Sequence, residues 1–89
     1  MPESFQSERY KIFMGLLRET RESLQVSQAT LAAKLGQPQT FVSKCETGVR
    51  RVDVVELHAW MQALGVNFTT FTKQLEKRWG AHAERTKIR

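Results

Sequence analysis

Between residues 27 and 51 the sequence reads SQATLAAKLGQPQTFVSKCETGVRR, and helix-ending signals divide it into two short segments. Ser27 is a typical N-cap for the first segment, which Gly36 ends, and Gly48 ends the second. Proline suits the first position of a helix, so Gln37-Pro38 restarts the chain directly after Gly36. Two helices joined by a turn of about three or four residues cross at a steep angle. This stretch therefore predicts a sharp corner between two short helices.

The remaining sequence predicts three further helices and no strand. Apolar residues at helical spacing mark each helix, and in the first of them they are Tyr10, Phe13, Leu16, Leu17 and Leu24. Ser7 is the expected N-cap of the first helix and Asp53 that of the fourth, and the fifth starts near residues 67–70. We therefore predict an all-α domain of five short helices over residues 1–76. Residues 77–89 form a basic helix end or tail.

Composition limits the classes of protein to which the chain can belong. A chain of 89 residues with 40% hydrophobic content suffices for one modest core. One cysteine, Cys45, excludes an internal disulfide and suits a reducing cytoplasm, and we expect it to be buried and inert. The sequence has no apolar run long enough to span a membrane and no signal peptide. We therefore expect a cytoplasmic protein without membrane contact.

Residues that could carry enzyme chemistry are sparse and scattered. The two histidines, His58 and His82, lie far apart in the sequence, and no cysteine cluster suits zinc. Neither a glycine-rich phosphate loop nor a nucleophile with an evident base is present. We therefore predict no enzyme activity, no metal, no cofactor and no small-molecule ligand.

The charge of the opening stretch points to a polyanionic partner. The net charge is +5, and residues 27–51 carry four basic residues against one acid, Glu46. On the second helix of the corner, Val42 and Cys45 face inward, which leaves four polar side chains outward: Gln39, Thr40, Ser43 and Lys44. Such side chains can bond to base edges in the DNA major groove, although they also suit an ordinary solvated helix. A helix N-terminus near Gln28 and the loop carrying Arg50 and Arg51 suit contacts with phosphates.

From about residue 21 to 66 the chain resembles the Cro/phage-repressor helix-turn-helix proteins, also called the XRE family. The resemblance is carried by Ser-Gln at 27–28, Leu-Ala at 31–32, Leu-Gly at 35–36, Val-Ser-Lys-Cys-Glu-Thr-Gly at 42–48 and Ala-Leu-Gly-Val at 63–66. It implies a lambda-repressor-like, five-helix, DNA-binding domain with its helix-turn-helix at 27–48. A recognition helix at about 38–47 would enter the major groove, in a homodimer on a two-fold symmetric operator.

The resemblance also implies roles for individual residues. It assigns base contacts to Gln39, Thr40, Ser43 and Lys44, and backbone contacts to Gln28, Gln37, Arg50 and Arg51. It pairs Arg21 with Glu46 in a structural ion pair behind the recognition helix. It further implies a transcriptional regulator in a prokaryotic or phage setting, which most commonly represses by occupying its operator, with activation left open.

Three points stay open at the level of the sequence. Phe71, Leu75 and Trp79 could form a dimer interface or belong to the core. Pro38 replaces the usual small polar cap and would move the cap to Gln37, while Phe41 could pack beside the turn, contact a thymine methyl or meet a partner. The alternative function is an antitoxin or other protein-interaction module whose C-terminal segment binds a partner protein.

Overall fold

The computed structural model describes residues 7–81, which fold into five α-helices. They are α1 (Glu8–Ser23), α2 (Gln28–Lys34), α3 (Gln39–Glu46), α4 (Val54–Leu64) and α5 (Phe68–Gly80). Residues 7–81 contain no strand, so the predicted all-α fold is confirmed. None of these five helices is long and apolar enough to cross a membrane.

Four of the five helices begin at a polar side chain that accepts a hydrogen bond from a backbone N–H of the first turn. These N-caps are Ser7, Ser27, Asp53 and Asn67. At α4 the bond is reciprocal, because Asp53 Oδ1 accepts from the N–H of Glu56 at 2.8 Å and Glu56 Oε1 accepts from the N–H of Asp53 at 3.1 Å. The helix starts predicted at Ser7, Ser27 and Asp53 are confirmed.

The start of α3 differs from the prediction by one residue. Pro38 is the N-cap, with extended backbone at φ −71° and ψ 158°, and Gln39 is the first helical residue. The predicted helix start at Pro38, with Gln37 as its cap, is therefore wrong. An N-cap does not need its own N–H, so proline fits there as well as at the next position. Because proline has no polar side chain, α3 lacks a side-chain cap bond.

The corner between α2 and α3 forms at Gly36, which has a positive φ of 68°. The N–H of Gly36 bonds to the carbonyl oxygen of Ala33 at 3.1 Å, and the N–H of Gln37 bonds to that of Ala32 at 2.9 Å. These two bonds close the end of α2 and send the chain in a new direction. The predicted role of the glycine in the corner is confirmed.

The end of α1 corrects the expected apolar stripe. Leu24 lies just beyond the helix and is 46% exposed, so its predicted place on that stripe is wrong. Gln25 follows with a positive φ of 59°, and the N–H of Val26 bonds back to the carbonyl oxygen of Arg21 at 3.3 Å. The helix therefore ends before Leu24, and the left-handed Gln25 directly after it turns the chain toward α2.

We expect Gln25→Gly to raise the free energy of unfolding by up to about 1 kcal/mol, because glycine adopts a positive φ without the steric penalty of a side chain. Urea unfolding followed by circular dichroism measures the change. Gln62→Gly, at an exposed site inside α4, is the matched control and should lower stability by roughly 0.5–1 kcal/mol. Equal losses in both variants would show that the backbone at Gln25 carries no such penalty.

All five helices contribute to one core. Its buried members are Tyr10, Phe13, Leu16, Leu17, Leu31, Ala32, Val42, Cys45, Leu57, Trp60, Met61, Phe71 and Leu75. The α1 helix packs against α3 and α5, and α4 packs against α2 and α5, while α2 and α3 pack against each other. The corner is therefore held from behind by α1 and α4, and α5 packs against both of these helices. Cys45 is fully buried, as predicted.

Phe71 and Leu75 are buried in this core, at 1% and 6% exposure. Of the two roles left open for them, core packing is the one that the structure shows. Trp79 is half-buried, and its indole N–H donates to the carbonyl oxygen of Arg9 at 3.0 Å. The first part of the predicted basic helix end or tail at 77–89 belongs to α5, which ends at Gly80, and residues 82–89 lie outside the described residues.

Candidate nucleic-acid interface

The outward side of α3 carries the four side chains that the sequence placed there. Gln39, Thr40 and Lys44 are exposed, and Ser43 is half-buried. Val42 and Cys45 on the opposite side are both fully buried. The two predicted faces of this helix are therefore confirmed. The outward face has hydrogen-bond donors and acceptors and contains no acid.

Two glutamines join the N-termini of α2 and α3. Gln39 Nε2 donates to Gln28 Oε1 at 3.2 Å, and Gln28 Nε2 donates to Glu46 Oε1 at 3.0 Å. Each amide nitrogen carries two hydrogens, so each glutamine keeps one N–H for a further partner. Gln39 also keeps its carbonyl oxygen, so its amide retains the donor and acceptor that bidentate bonding to adenine requires.

Behind these glutamines lies the pair that the resemblance assigned, Arg21 of α1 with Glu46 of α3. Arg21 Nε donates to Glu46 Oε2 at 2.7 Å, and Nη2 donates to Oε1 at 2.9 Å. The side chains are only 8% and 1% exposed. A third bond, from Arg21 Nη1 to the carbonyl oxygen of Val26 at 2.8 Å, ties the arginine to the turn before α2. Its bonds to Glu46 raise the pKa of Arg21, which keeps the guanidinium charged despite burial.

Together these contacts form a continuous chain from Arg21 through Glu46 and Gln28 to Gln39. The chain runs from the buried side of α1 to the outward face of α3. Its effect is to orient the Gln39 amide before any ligand arrives. Sequence reasoning identified the four residues but did not predict that the two glutamines bond to each other and to the ion pair.

The loop that leaves α3 is organised around Arg50. Its Nη1 and Nη2 donate to Glu56 Oε1 and Oε2 at 2.9 and 2.8 Å, and Nη1 also donates to the carbonyl oxygen of Arg51 at 3.0 Å. The guanidinium carbon lies 4.8 Å from the centre of the Phe41 ring. Hydrogen bonding to Arg50 lowers the pKa of Glu56, and the same bonds raise the pKa of Arg50.

Phe41, whose role the sequence left open, lies half-buried beside the corner. Its ring centre is 6.1 Å from that of Trp60, which is fully buried. The ring thus lies between the core and the Arg50 guanidinium. Of the three roles left open for Phe41, packing beside the turn is the one that the structure shows.

Arg51 and Gln37, to which the resemblance assigned contacts with a DNA backbone, are both exposed. The Arg51 guanidinium carbon lies 4.1 Å from the centre of the Tyr10 ring, and the Tyr10 hydroxyl accepts from the N–H of Val52 at 3.0 Å. Both arginines of the exit loop therefore stack on aromatic side chains. Neither stacking partner was predicted, and the only sequence signal at Glu56 was its place three residues after the Asp53 cap.

Neither a reactive thiol nor a metal site is found at this surface in residues 7–81. Burial raises the pKa of the Cys45 thiol, which opposes the formation of a reactive thiolate. Residues 7–81 contain no group of three or more His, Cys, Asp or Glu side chains that could hold a metal ion.

Comparison with known proteins places this geometry in context. A family model described as helix-turn-helix matches residues 17–71, which include the whole of α2, α3 and α4. The chain is similar to an XRE-family like protein from Pseudomonas syringae pv. tomato str. DC3000, at 35% identity and a TM-score of 0.77. That match covers 86% of this chain and 94% of the other.

The chain is also similar to a single-residue mutant of the restriction-modification controller protein C.Esp1396I, at 25% identity, with a TM-score of 0.74 over 81% of this chain and 91% of the other. The wild-type controller protein is 24% identical, with a TM-score of 0.73 over 80% and 92% of the two chains. At that identity the likeness shows the fold alone. No curated protein matches the chain.

Proposed function

Because the chain belongs to the XRE family of helix-turn-helix DNA-binding transcription regulators, we propose that it binds a specific double-stranded DNA sequence and represses transcription by occupying it. The observation that carries this proposal is the outward face of α3. It presents polar side chains without an acid, and a chain of hydrogen bonds to the buried Arg21–Glu46 pair orients Gln39. An α-helix of this kind fits the major groove of B-DNA.

We assign base contacts to Gln39, Thr40, Ser43 and Lys44. Gln28 and Gln37 contact the sugar-phosphate backbone, Gln28 through the amide hydrogen that Glu46 does not use. Arg51 adds a positive charge beside the end of α3. These side chains contribute in two ways, since base contacts select the sequence and backbone contacts hold the protein in register.

The proposed active form is a homodimer that places two α3 helices in successive major grooves. Because Phe71 and Leu75 lie in the core, we propose that the second chain packs on other apolar side chains. Val54 and Val55 at the start of α4 are 67% and 75% exposed, and we propose them as part of the dimer contact. The alternative of a protein-interaction module gains no support from Trp79, which packs against Arg9.

Selection of binding sites from random duplexes, followed by a salt titration of the selected site, tests this function. We expect enriched sites with two related half-sites about 10–10.5 base pairs apart. If the dimer makes roughly 6–10 phosphate contacts, affinity should fall by about 10³–10⁵ between 50 and 200 mM salt. A scrambled duplex of the same length and composition is the control. Selection without enrichment, from protein that purifies bound to another polypeptide, would favour the interaction module.

A further inference from the structure

We infer that Glu56 is a positioning residue for DNA binding, which holds Arg50 against Phe41 and thereby fixes the start and exit of α3. In this assignment Arg50 serves the protein's own geometry and is not a phosphate contact. The inference rests on the proposed function and deepens it, because it separates the two arginines of the exit loop into different roles.

The Arg50 guanidinium already has partners on its edge and on its face. Three of its five N–H groups donate to protein oxygens, two of them to the two carboxylate oxygens of Glu56. The Phe41 ring covers its face at 4.8 Å. Glu56 occupies the fork formed by Nη1 and Nη2, so a phosphate could approach Arg50 only through the remaining Nε–Nη2 edge. DNA would have to displace Glu56 to bond to the Nη1–Nη2 edge.

The charges lead to the same assignment. A carboxylate 2.8 Å from Arg50 Nη2 offsets most of its attraction for a nearby polyanion. The two side chains are 43% and 28% exposed, unlike the buried Arg21–Glu46 pair. Partly exposed ion pairs contribute little to stability. The main consequence of this pair is therefore the path of the loop.

Three parts of the interface meet at Arg50. Phe41 belongs to the first turn of α3, which has no side-chain cap and also carries Gln39 and Thr40. The N–H of Arg50 bonds to the carbonyl oxygen of Lys44 at 3.1 Å, in the last turn of the same helix. Glu56 is fixed in turn by the N–H of Asp53. Arg50 and Glu56 thus connect both ends of α3 to the start of α4.

Four variants separate a positioning role from a phosphate contact. Arg50→Lys keeps the charge but loses the fork and the flat face, and Glu56→Gln keeps the shape but loses one acceptor. Arg50→Ala removes both charge and stacking, and Arg51→Ala is the matched phosphate-contact variant. Each protein is titrated against the selected duplex and a random duplex over a range of salt concentrations. Comparing the two duplexes cancels the general effect of a changed net charge.

We expect Arg50→Lys, Arg50→Ala and Glu56→Gln to lower the ratio of specific to random affinity by roughly tenfold, with the salt slope unchanged. Arg51→Ala should leave that ratio unchanged and lower the slope by about one. Thermal melting establishes that each variant is folded. Glu56→Asp, which keeps the charge on a shorter side chain and should also lower the ratio, replaces any variant that does not fold.

The opposite pattern of results would mean that Arg50 contacts a phosphate. If Arg50→Lys binds like the parent and Arg50→Ala lowers the salt slope by about one, the inference is overturned while the proposed function stands. The same holds if the parent is specific and every variant keeps the parental ratio. If the parent protein prefers no duplex, both the proposed function and this inference are contradicted.

Discussion

Glu46→Ala is expected to lower the free energy of unfolding by about 3–5 kcal/mol, because it leaves a buried charge without a partner. Arg21 is 8% exposed at its side chain and directs two of its N–H groups to the Glu46 carboxylate. Removing that carboxylate leaves the guanidinium with one carbonyl partner, that of Val26, and with Glu22 at 3.7 Å. Urea unfolding followed by circular dichroism gives the free energy directly.

Two further variants separate this effect from a general loss of acidic charge. Glu22→Ala removes an acid near the same arginine, but the Glu22 side chain is 50% exposed, so the loss should stay within about 1 kcal/mol. The double variant Arg21→Met/Glu46→Leu replaces both charges by apolar groups and should recover most of the stability lost in Glu46→Ala. If Glu46→Ala unfolds at the same urea concentration as the parent, the pair is not structural.

The same double variant is informative about function. It removes the oxygen that accepts from Gln28, so the chain of bonds to Gln39 is broken while the fold is kept. We therefore expect it to melt near the parent temperature and yet discriminate poorly between selected and random duplexes. The double variant is thus expected to keep stability and lose specificity, although both depend on the same carboxylate in the parent.

The local signals in the sequence were sufficient for most of the fold. An N-cap side chain accepts a hydrogen bond from a backbone N–H only three residues further along the chain. The N-caps Ser7, Ser27 and Asp53 could therefore be identified from the sequence alone. The corner at Gly36 depends on equally local signals. Glycine adopts a positive φ without strain, and Pro38 restricts the backbone of the residue before it, so few turn conformations are available. The error at Pro38 has the same origin, since proline is compatible with either of two neighbouring positions.

Contacts between distant residues were not accessible in the same way. An apolar stripe such as Phe71 and Leu75 looks identical whether it faces its own core or a second chain, and only the packing of five helices decides between them. The bond between Arg50 and Glu56 joins the two ends of a loop, and no pattern in the sequence predicts the backbone conformation of that loop. The bond between Gln28 and Gln39 depends on the angle at the corner. The site could therefore be located from the sequence, while the contacts that orient its side chains required the structure.

Gln39→Ala is expected to cost about 1–3 kcal/mol in binding to the selected duplex, which is roughly 5- to 150-fold in affinity, and to leave binding to random duplexes nearly unchanged. The Gln39 amide is exposed and is held by Gln28 at 3.2 Å, so we expect it to meet the DNA in one orientation. Alanine offers neither donor nor acceptor to the base edge. Fluorescence-anisotropy titrations with both duplexes, at one fixed salt concentration, measure the two affinities.

Gln74→Ala, at an exposed site on α5 away from this face, is the matched control and should bind both duplexes like the parent. Gln28→Ala frees the Gln39 amide and should also weaken binding to the selected duplex. The double variant should lose less than the sum of the two single losses, because each single variant already removes the Gln28–Gln39 hydrogen bond. Additive losses would mean that each glutamine meets the DNA independently. Equal losses on selected and random duplexes for Gln39→Ala would move this residue from the base edges to the backbone, and α3 would then read sequence through Thr40, Ser43 and Lys44 alone.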